Sequence, residues 1–205
     1  MFIGQIKRAF EIQLIYIEDM DFTNEQFTTI RHRNLWGEWT FVFEKSKLCS
    51  LHYTNEKNPE TIKPSALQAC TYAIADIESK LPTAVTRAYK KTVQQLNEYL
   101  SGTRQNFTIP YKLYGTEFQV KVWEALKNIP YGETRSYKDI AETIGNPKAV
   151  RAVGGALHVN PIPFILPCHR VIGKAGALVG FGLGLDMKRR LLVIEGAIPQ
   201  EMLLE

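Results

Sequence analysis

Cysteine is scarce: the 205 residues hold three, Cys49, Cys70 and Cys168, an odd number with no Cys-x-x-Cys pair. That excludes a disulfide framework and fits a reducing compartment. Long apolar runs are missing as well. None approaches the roughly 18 residues a membrane-spanning helix needs, and the first residues mix Lys7, Arg8 and Glu11 with apolar side chains, unlike a secretory leader. No membrane partner is expected, and the setting is read as cytoplasmic, or nuclear in a eukaryote. The run Val179-Gly180-Phe181-Gly182-Leu183-Gly184 lacks the third glycine of a dinucleotide fingerprint, which would fall at Leu185. Metal-ligand spacing is absent too. Cys49, Cys70, His32 and His52 hold the right atoms for zinc, but at intervals that match no zinc motif. Neither metal nor cofactor is expected.

What is present suits a globular protein, with 45% hydrophobic and 22% charged residues. The expected class is α+β in two domains: a variable N-terminal sheet-and-helix domain over 1–105, and a mostly helical domain over 113–197. In the first, residues 10–17, 39–43 and 47–53 read as strands, the last two joined by a turn at Glu44-Lys45-Ser46. Residues 65–79 and 86–101 have the apolar spacing of amphipathic helices, the second ending at Gly102, and 102–110 reads as a linker. Nothing in this half identifies a function.

The second half carries more punctuation. Thr116 with Gln119 makes a capping box that opens a helix bearing Phe118, Val122, Trp123 and Leu126 on one face, and Ile129-Pro130-Tyr131-Gly132 turns the chain after it. Ser136, with Asp139 three residues on, caps a short helix that stops at Gly145; Asn146-Pro147 is expected to cap the next, running through Arg151 to Leu157. Two short helices around a glycine turn make a helix-turn-helix pattern. Ala149, Ala152, Gly154, Gly155 and Ala156 leave the second helix slim, either for tight internal packing or for close approach to another molecule. Charge is concentrated here as well. Residues 113–197 hold eleven Lys or Arg against seven Asp or Glu, while the remainder is balanced at fourteen of each. Arg135, Lys138, Lys148, Arg151, Arg170 and Lys174 form a patch that suits a polyanion, or simply a solvated surface.

The chemistry centres on Pro167-Cys168-His169-Arg170-Val171. A thiol attacks as thiolate, and an ordinary cysteine, with a pKa of about 8.5, is mostly protonated at neutral pH, so a reactive one needs a base or a positive charge nearby. His169 and Arg170 offer both. Pro161, Pro163 and Pro167 make a stiff approach to the site. The plain alternative is a buried inert cysteine.

Gly115-Thr116-Glu117-Phe118-Gln119, Ile129-Pro130-Tyr131-Gly132, Ser136-Tyr137, Arg151-Ala152-Val153-Gly154, Asn160-Pro161, the Pro-Cys-His-Arg-Val core, and Leu191-Leu192 before Glu195-Gly196 occur in an order that resembles the catalytic domain of the O6-alkylguanine-DNA alkyltransferases. Those proteins move an alkyl group from damaged guanine onto their own cysteine, once per molecule. The resemblance covers 115–196; residues 1–85 have no comparable match. It implies a monomer that binds double-stranded DNA carrying O6-alkylguanine from the minor groove and flips the damaged nucleotide out. Cys168 would be the nucleophile, His169 its base through a water, and Glu195 the acid that holds the other imidazole nitrogen. Arg151 would fill the vacated stack and Tyr137 would help turn the phosphate and bond the base, with Arg135, Lys148 and Ala149 facing DNA. Asn160, Pro163, Val171, Phe181 and Gly182 would line the pocket, the carbonyls of Cys168 and Val171 accepting the guanine amine and the Gly182 N–H serving O6. Phe181 stands for the family's tyrosine and Leu183 for the first of a glycine pair, which removes a hydroxyl, adds bulk, and favours methyl over large alkyl groups. A cysteine hydrolase and a helix-turn-helix module without chemistry are the rival readings. The first would turn over, and the second has no need of Cys168.

Overall fold

The computed structural model describes residues 14–18, 27–34, 37–54, 69–71 and 81–203. The chain divides into two compact units, Met1–Lys112 and Leu113–Glu205.

The first unit is an antiparallel sheet with a helix. Its strands are β1 (Leu14–Glu18), β2 (Phe27–Asn34), β3 (Gly37–Glu44), β4 (Lys47–Thr54) and β5 (Ala69–Thr71), in spatial order β4-β3-β2-β1-β5. The alternation of Trp39, Phe41 and Phe43 puts all three on the buried face of β3, with Leu51 and Tyr53 of β4 and Ile30 of β2 beside them. The expected turn is a two-residue connection with Lys45 at φ 55°. One reading needs correction. Residues 69–71, expected within a helix, form a strand that pairs with β1 (Ile17 opposite Cys70), because pairing along an open sheet edge overrides local periodicity; residues 65–68 and 72–79 lie outside the described residues, as do 10–13. Of the zinc candidates, Cys49 is buried and donates to the Lys47 carbonyl, His52 is exposed and bonded to Ser50, and the side chains of His32 and Cys70 lie outside the described residues.

Helix α1 (Thr83–Leu100) buries Val85, Tyr89, Val93, Leu96 and Tyr99, with the Tyr89 ring edge-on to Phe41 at 5.4 Å. Gly102, at φ 73°, ends it in a Schellman motif, its N–H bonding the Tyr99 carbonyl and that of Thr103 the Glu98 carbonyl. The stretch expected as a linker is tied down. Thr108 exchanges two hydrogen bonds with the Gln95 amide, and Pro110 accepts from the Leu48 N–H on the edge of β4.

The second unit is helical around a minimal sheet. Helix α2 (Glu117–Ala125) has the Thr116–Gln119 capping box, and β6 (Arg135–Ser136) leads into α3 (Tyr137–Thr143), whose Ser136–Asp139 box is reciprocal. A Schellman turn at Gly145 (φ 73°) ends α3, and α4 (Val150–His158) follows. The helix-turn-helix is present, but α4 begins later than Asn146-Pro147 predicts. The Asn146 carbonyl accepts from the Ala149 N–H to close a separate turn, so Ala149 takes the N-cap position with no side-chain cap. Then β7 (Val171–Ile172) pairs in parallel with β6, and α5 (Leu185–Ile194) closes the unit. The Ser136 cap fixes the start of α3 and with it Tyr137, the first helical residue. Ser136→Ala should lower unfolding stability by about 1 kcal/mol in urea titration; an unchanged midpoint would remove the cap from this account.

Candidate active site

Cys168 opens a single 3₁₀ turn, Cys168–Arg170, set between buried Pro167 and β7. The approach is stiff, as three prolines suggest, and sharply bent: Phe164, buried, sits at φ 73°, a conformation that costs a bulky residue energy and is kept only where its surroundings dictate it. Asn160 organises this bend. Its Oδ1 accepts from the Ile162 N–H at 3.2 Å, while Nδ2 donates to the Leu166 carbonyl at 2.7 Å and to Cys168 Sγ at 3.0 Å. The hydrogen bond to the sulfur therefore comes from Asn160 and not from the adjacent imidazole.

His169 turns the other way, toward α5. Its Nε2 lies 2.9 Å from Glu195 Oε1, both side chains fully buried. Arg170, assigned above to the thiol's surroundings, is instead spent on the same carboxylate: Nε reaches Oε2 at 2.9 Å, Nη2 reaches Oε1 at 2.9 Å, and Nη1 donates to the Ile129 carbonyl at 2.6 Å. It is buried and thus withdrawn from the surface basic patch. The Ile129-Pro130-Tyr131-Gly132 turn completes the arrangement. The Tyr131 ring lies 5.7 Å from the guanidinium carbon, its hydroxyl donates to the Ile194 carbonyl, and the Gly132 N–H donates to Glu195 Oε2 at 3.3 Å. Gly132, at φ 79°, has no room for a side chain, since a Cβ would lie 2.9 Å from the Glu195 carbonyl.

These contacts set the protonation states. Burial opposes ionisation of Glu195, yet the His169 bond and the Arg170 fork outweigh it and hold the carboxyl down to about 2. An ionised Glu195 makes His169 Nε2 the donor, which leaves Nδ1 as the ring's basic nitrogen. Burial pushes the His169 pKa down, Glu195 pulling it back, and the nearby charges of Arg170 and Lys188 add to the lowering. Cys168 is a buried thiol, not a standing thiolate. Burial raises it to about 11 against the opposing pull of the Asn160 bond, Lys188 and backbone N–H groups.

Of the residues expected at the pocket, the Phe181 ring stands edge-on to His169 at 6.3 Å, and the Tyr137 hydroxyl donates to the Val179 carbonyl at 3.3 Å. Val171 and Pro163 are buried, and Gly182 is half-buried, a Cβ there falling 3.4 Å from the His158 carbonyl. Lys188, which sequence reading passed over, is fully buried with Nζ 2.6 Å from the Val171 carbonyl. On the outer surface, Lys148, Arg151 and Lys174 are exposed, while Ala149 is half-buried at the start of α4. Arg135 pairs with Glu133 at 2.7 Å and Lys138 with Glu142 at 3.5 Å, so the basic patch is thinner than its residue count. Ala152 and Gly155 lie on the exposed side of α4, and a side chain at Gly155 would meet nothing within 4 Å. Internal packing does not ask for that glycine, which costs a helix about 1 kcal/mol relative to alanine.

A buried thiol flanked by a carboxylate-held imidazole, in one unit with a helix-turn-helix whose second helix has a slim outer face, defines a class: cysteine proteins that act on nucleic acid. Comparison with known proteins narrows it. Residues 117–197 match the family model described as 6-O-methylguanine DNA methyltransferase, DNA binding domain. The Bacillus subtilis inducible methylated-DNA–protein-cysteine methyltransferase is 52% identical over 108 residues, 53% of this chain and 60% of the relative. The Methanosarcina acetivorans protein of that name is 53% identical over 109 residues, 53% of this chain and 70% of the relative. Among solved structures, Mycobacterium tuberculosis OGT in complex with DNA is similar with a TM-score of 0.66 and 38% identity over 87% of this chain and 98% of that one. The chain belongs to the methylated-DNA–protein-cysteine methyltransferase family.

A thiol at about pKa 11 is ionised in roughly one molecule in ten thousand at pH 7. Iodoacetamide labelling of Cys168, mapped by peptide mass, should therefore be slow at neutral pH and still accelerating above pH 9. A labelling rate that levels off near pH 7 would contradict the protonated resting thiol.

Proposed function

We propose that this protein repairs DNA by moving a methyl group from O6 of guanine to Cys168, one transfer per molecule, after the damaged nucleotide has been turned out of the duplex. The observation that carries the reading is the joint placement, within one compact unit, of a buried thiol with its imidazole and carboxylate and of a helix-turn-helix whose exposed face carries Arg151 beside small residues. The similar Mycobacterium tuberculosis OGT has been solved in complex with DNA.

Each feature then has a task. The alkylated oxygen lies on the paired edge of guanine, so a thiol cannot line up behind the alkyl carbon until the base leaves the stack. That step costs a few kcal/mol, which Arg151 offsets by entering the gap while the slim side of α4 lies in the minor groove. Lys148 and Arg135 meet phosphates near it, Arg135 leaving Glu133 to do so, and Ala149 keeps the start of α4 narrow. Tyr137 exchanges the Val179 carbonyl for the incoming nucleotide. Asn160, Pro163, Val171, Phe181 and Gly182 form the pocket, with Phe181 and Leu183 restricting it to small alkyl groups.

For the reaction, the proton of Cys168 passes by way of a water to Nδ1 of neutral His169, and Glu195 stabilises the imidazolium through Nε2. The sulfur then attacks the alkyl carbon from behind. The S–C bond forms, the C–O6 bond breaks, its electron pair stays on guanine, and guanine takes up one proton while His169 gives up the one it took from Cys168, so that thiol hydrogen and methyl group change places overall. Hydrogen bonding at O6 from the Gly182 N–H makes guanine an acceptable leaving group.

Arg151→Ala separates extrusion from displacement. Transfer from a methylated duplex should slow by at least about tenfold, the equivalent of about 1.4 kcal/mol, while reaction with the modified base alone stays near the parent rate. Equal losses on both substrates would place Arg151 in the chemistry or the fold and defeat this role.

A further inference from the structure

The steps above leave Tyr131 without a task, and local structure does not ask for it. The Glu133 N–H bonds the Pro130 carbonyl at 3.2 Å, so Tyr131 is the second residue of a turn whose third is Gly132 at φ 79°. Such a turn needs glycine at its third position and accepts most residues at its second. Tyr131 is only half-buried, so packing alone does not account for an aromatic ring there. Its contacts point elsewhere. Helix α5 runs out at Ile194, and the N–H groups that follow turn back past it, Glu195 to Leu191, Gly196 to Val193 and Ala197 to Leu192. The Ile194 carbonyl is thus among the acceptors that a helix end cannot satisfy from its own ladder, and the Tyr131 hydroxyl donates to it at 2.9 Å. The next residue is Glu195. On its other side, the Tyr131 ring centroid lies 5.7 Å from the guanidinium carbon of Arg170, within reach of a cation–π contact, and that guanidinium forks the Glu195 carboxylate. One side chain therefore touches both the backbone that carries the carboxylate and the cation that shares it.

We infer that Tyr131 is a positioning residue for the base: its hydroxyl holds the end of α5 and its ring holds Arg170, so that Glu195 stays seated against Nε2 of His169 when the imidazole takes up a proton. The inference rests on the repair reading for the event it serves. Burial and the Glu195 charge push Tyr131 up, with Arg170 opposing, so the hydroxyl keeps its proton and remains a donor at neutral pH. The charged groups that act on the carboxylate are His169 and Arg170, and those that act on the imidazole are Glu195, Arg170 and Lys188. A carboxylate that must stabilise a new imidazolium gains from a rigid mount. If it swung away at that moment, a buried charge would be left short of its partner.

Proton exchange reads this seating without DNA. With histidine and tryptophan nitrogen labelled isotopically, NMR follows the proton that His169 Nε2 donates to Glu195. Beside it stands the indole proton of Trp123, which donates to the Ala156 carbonyl at 2.8 Å in the same unit. Tyr131→Phe keeps the ring and removes one hydrogen bond. Exchange with water at His169 should become about tenfold faster relative to Trp123, equivalent to about 1.4 kcal/mol, near the top of the range for one net hydrogen bond. Tyr131→Leu removes the ring as well, and exchange at His169 should be faster again. A general loss of stability would speed both protons and leave their ratio where it was, so a ratio equal in the parent and in Tyr131→Phe overturns the proposal. On the repair reading, methyl transfer to Cys168 from a duplex containing O6-methylguanine should slow in the same order, from parent to Tyr131→Phe to Tyr131→Leu. A protein whose exchange ratio responds to Tyr131→Phe, but whose parent form takes no methyl from DNA, would sink the repair reading alone.

Discussion

The carboxylate of Glu195 is the point on which the second unit turns. A buried ion costs several kcal/mol unless its acceptor sites are filled, and here they are filled from two distant stretches of chain: His169 and Arg170 from the turn after Pro167, and Gly132 from the turn after α2. The glutamate is itself placed by the end of α5, where Gly196 at φ 70° closes a Schellman motif, its N–H on Val193 and that of Ala197 on Leu192. Arg170 carries the tie further by donating to Ile129. Position and protonation are set by the same bonds, since the ionised carboxylate that holds the segments together also fixes which imidazole nitrogen keeps the proton.

A protonated resting cysteine follows from this. Arg170 shares the charge of Glu195, so the carboxylate raises His169 less than an unshared one would, and burial keeps the ring neutral. Cys168, bonded among the described residues by the Asn160 amide and the backbone, stays a thiol. Under the proposed reading this is an advantage, because a protein that reacts once gains from a sulfur that resists stray electrophiles until a substrate is seated. On that reading, proton transfer within the site creates thiolate and imidazolium together, with the Glu195 carboxylate already in place for the imidazolium.

Much of this was legible in the residues, where local chemistry is decisive. Both capping boxes, at Thr116 and Ser136, occur where a hydroxyl and an acceptor three residues apart require them, and Gly102 and Gly145 end helices at positive φ. The strands at 39–43 and 47–53 followed from alternation, whereas β2 was missed because Ile30 is its one fully buried apolar residue among threonines and basic side chains. Helix α5 went unstated because Lys188 occupies an inward position that pattern reading reserves for apolar residues. The candidate site was named residue by residue and the His169–Glu195 contact was implied by the resemblance, yet the places of Arg170 and Gly132 were not. Whether Arg170 serves the sulfur or the glutamate depends on side-chain direction in a single 3₁₀ turn, and the work of Gly132 depends on a contact 63 residues away in sequence.

The central claim, that Cys168 accepts an alkyl group from DNA and keeps it, is tested most directly by intact-protein mass spectrometry after incubation with excess duplex containing O6-methylguanine. A thioether has no good leaving group and is not hydrolysed at neutral pH. Each molecule should therefore restore one guanine, gain the mass of one methylene, and carry it on the peptide containing Cys168. Repeated turnover, restored guanine without a mass change, or methyl found at Cys49 or Cys70 would contradict it.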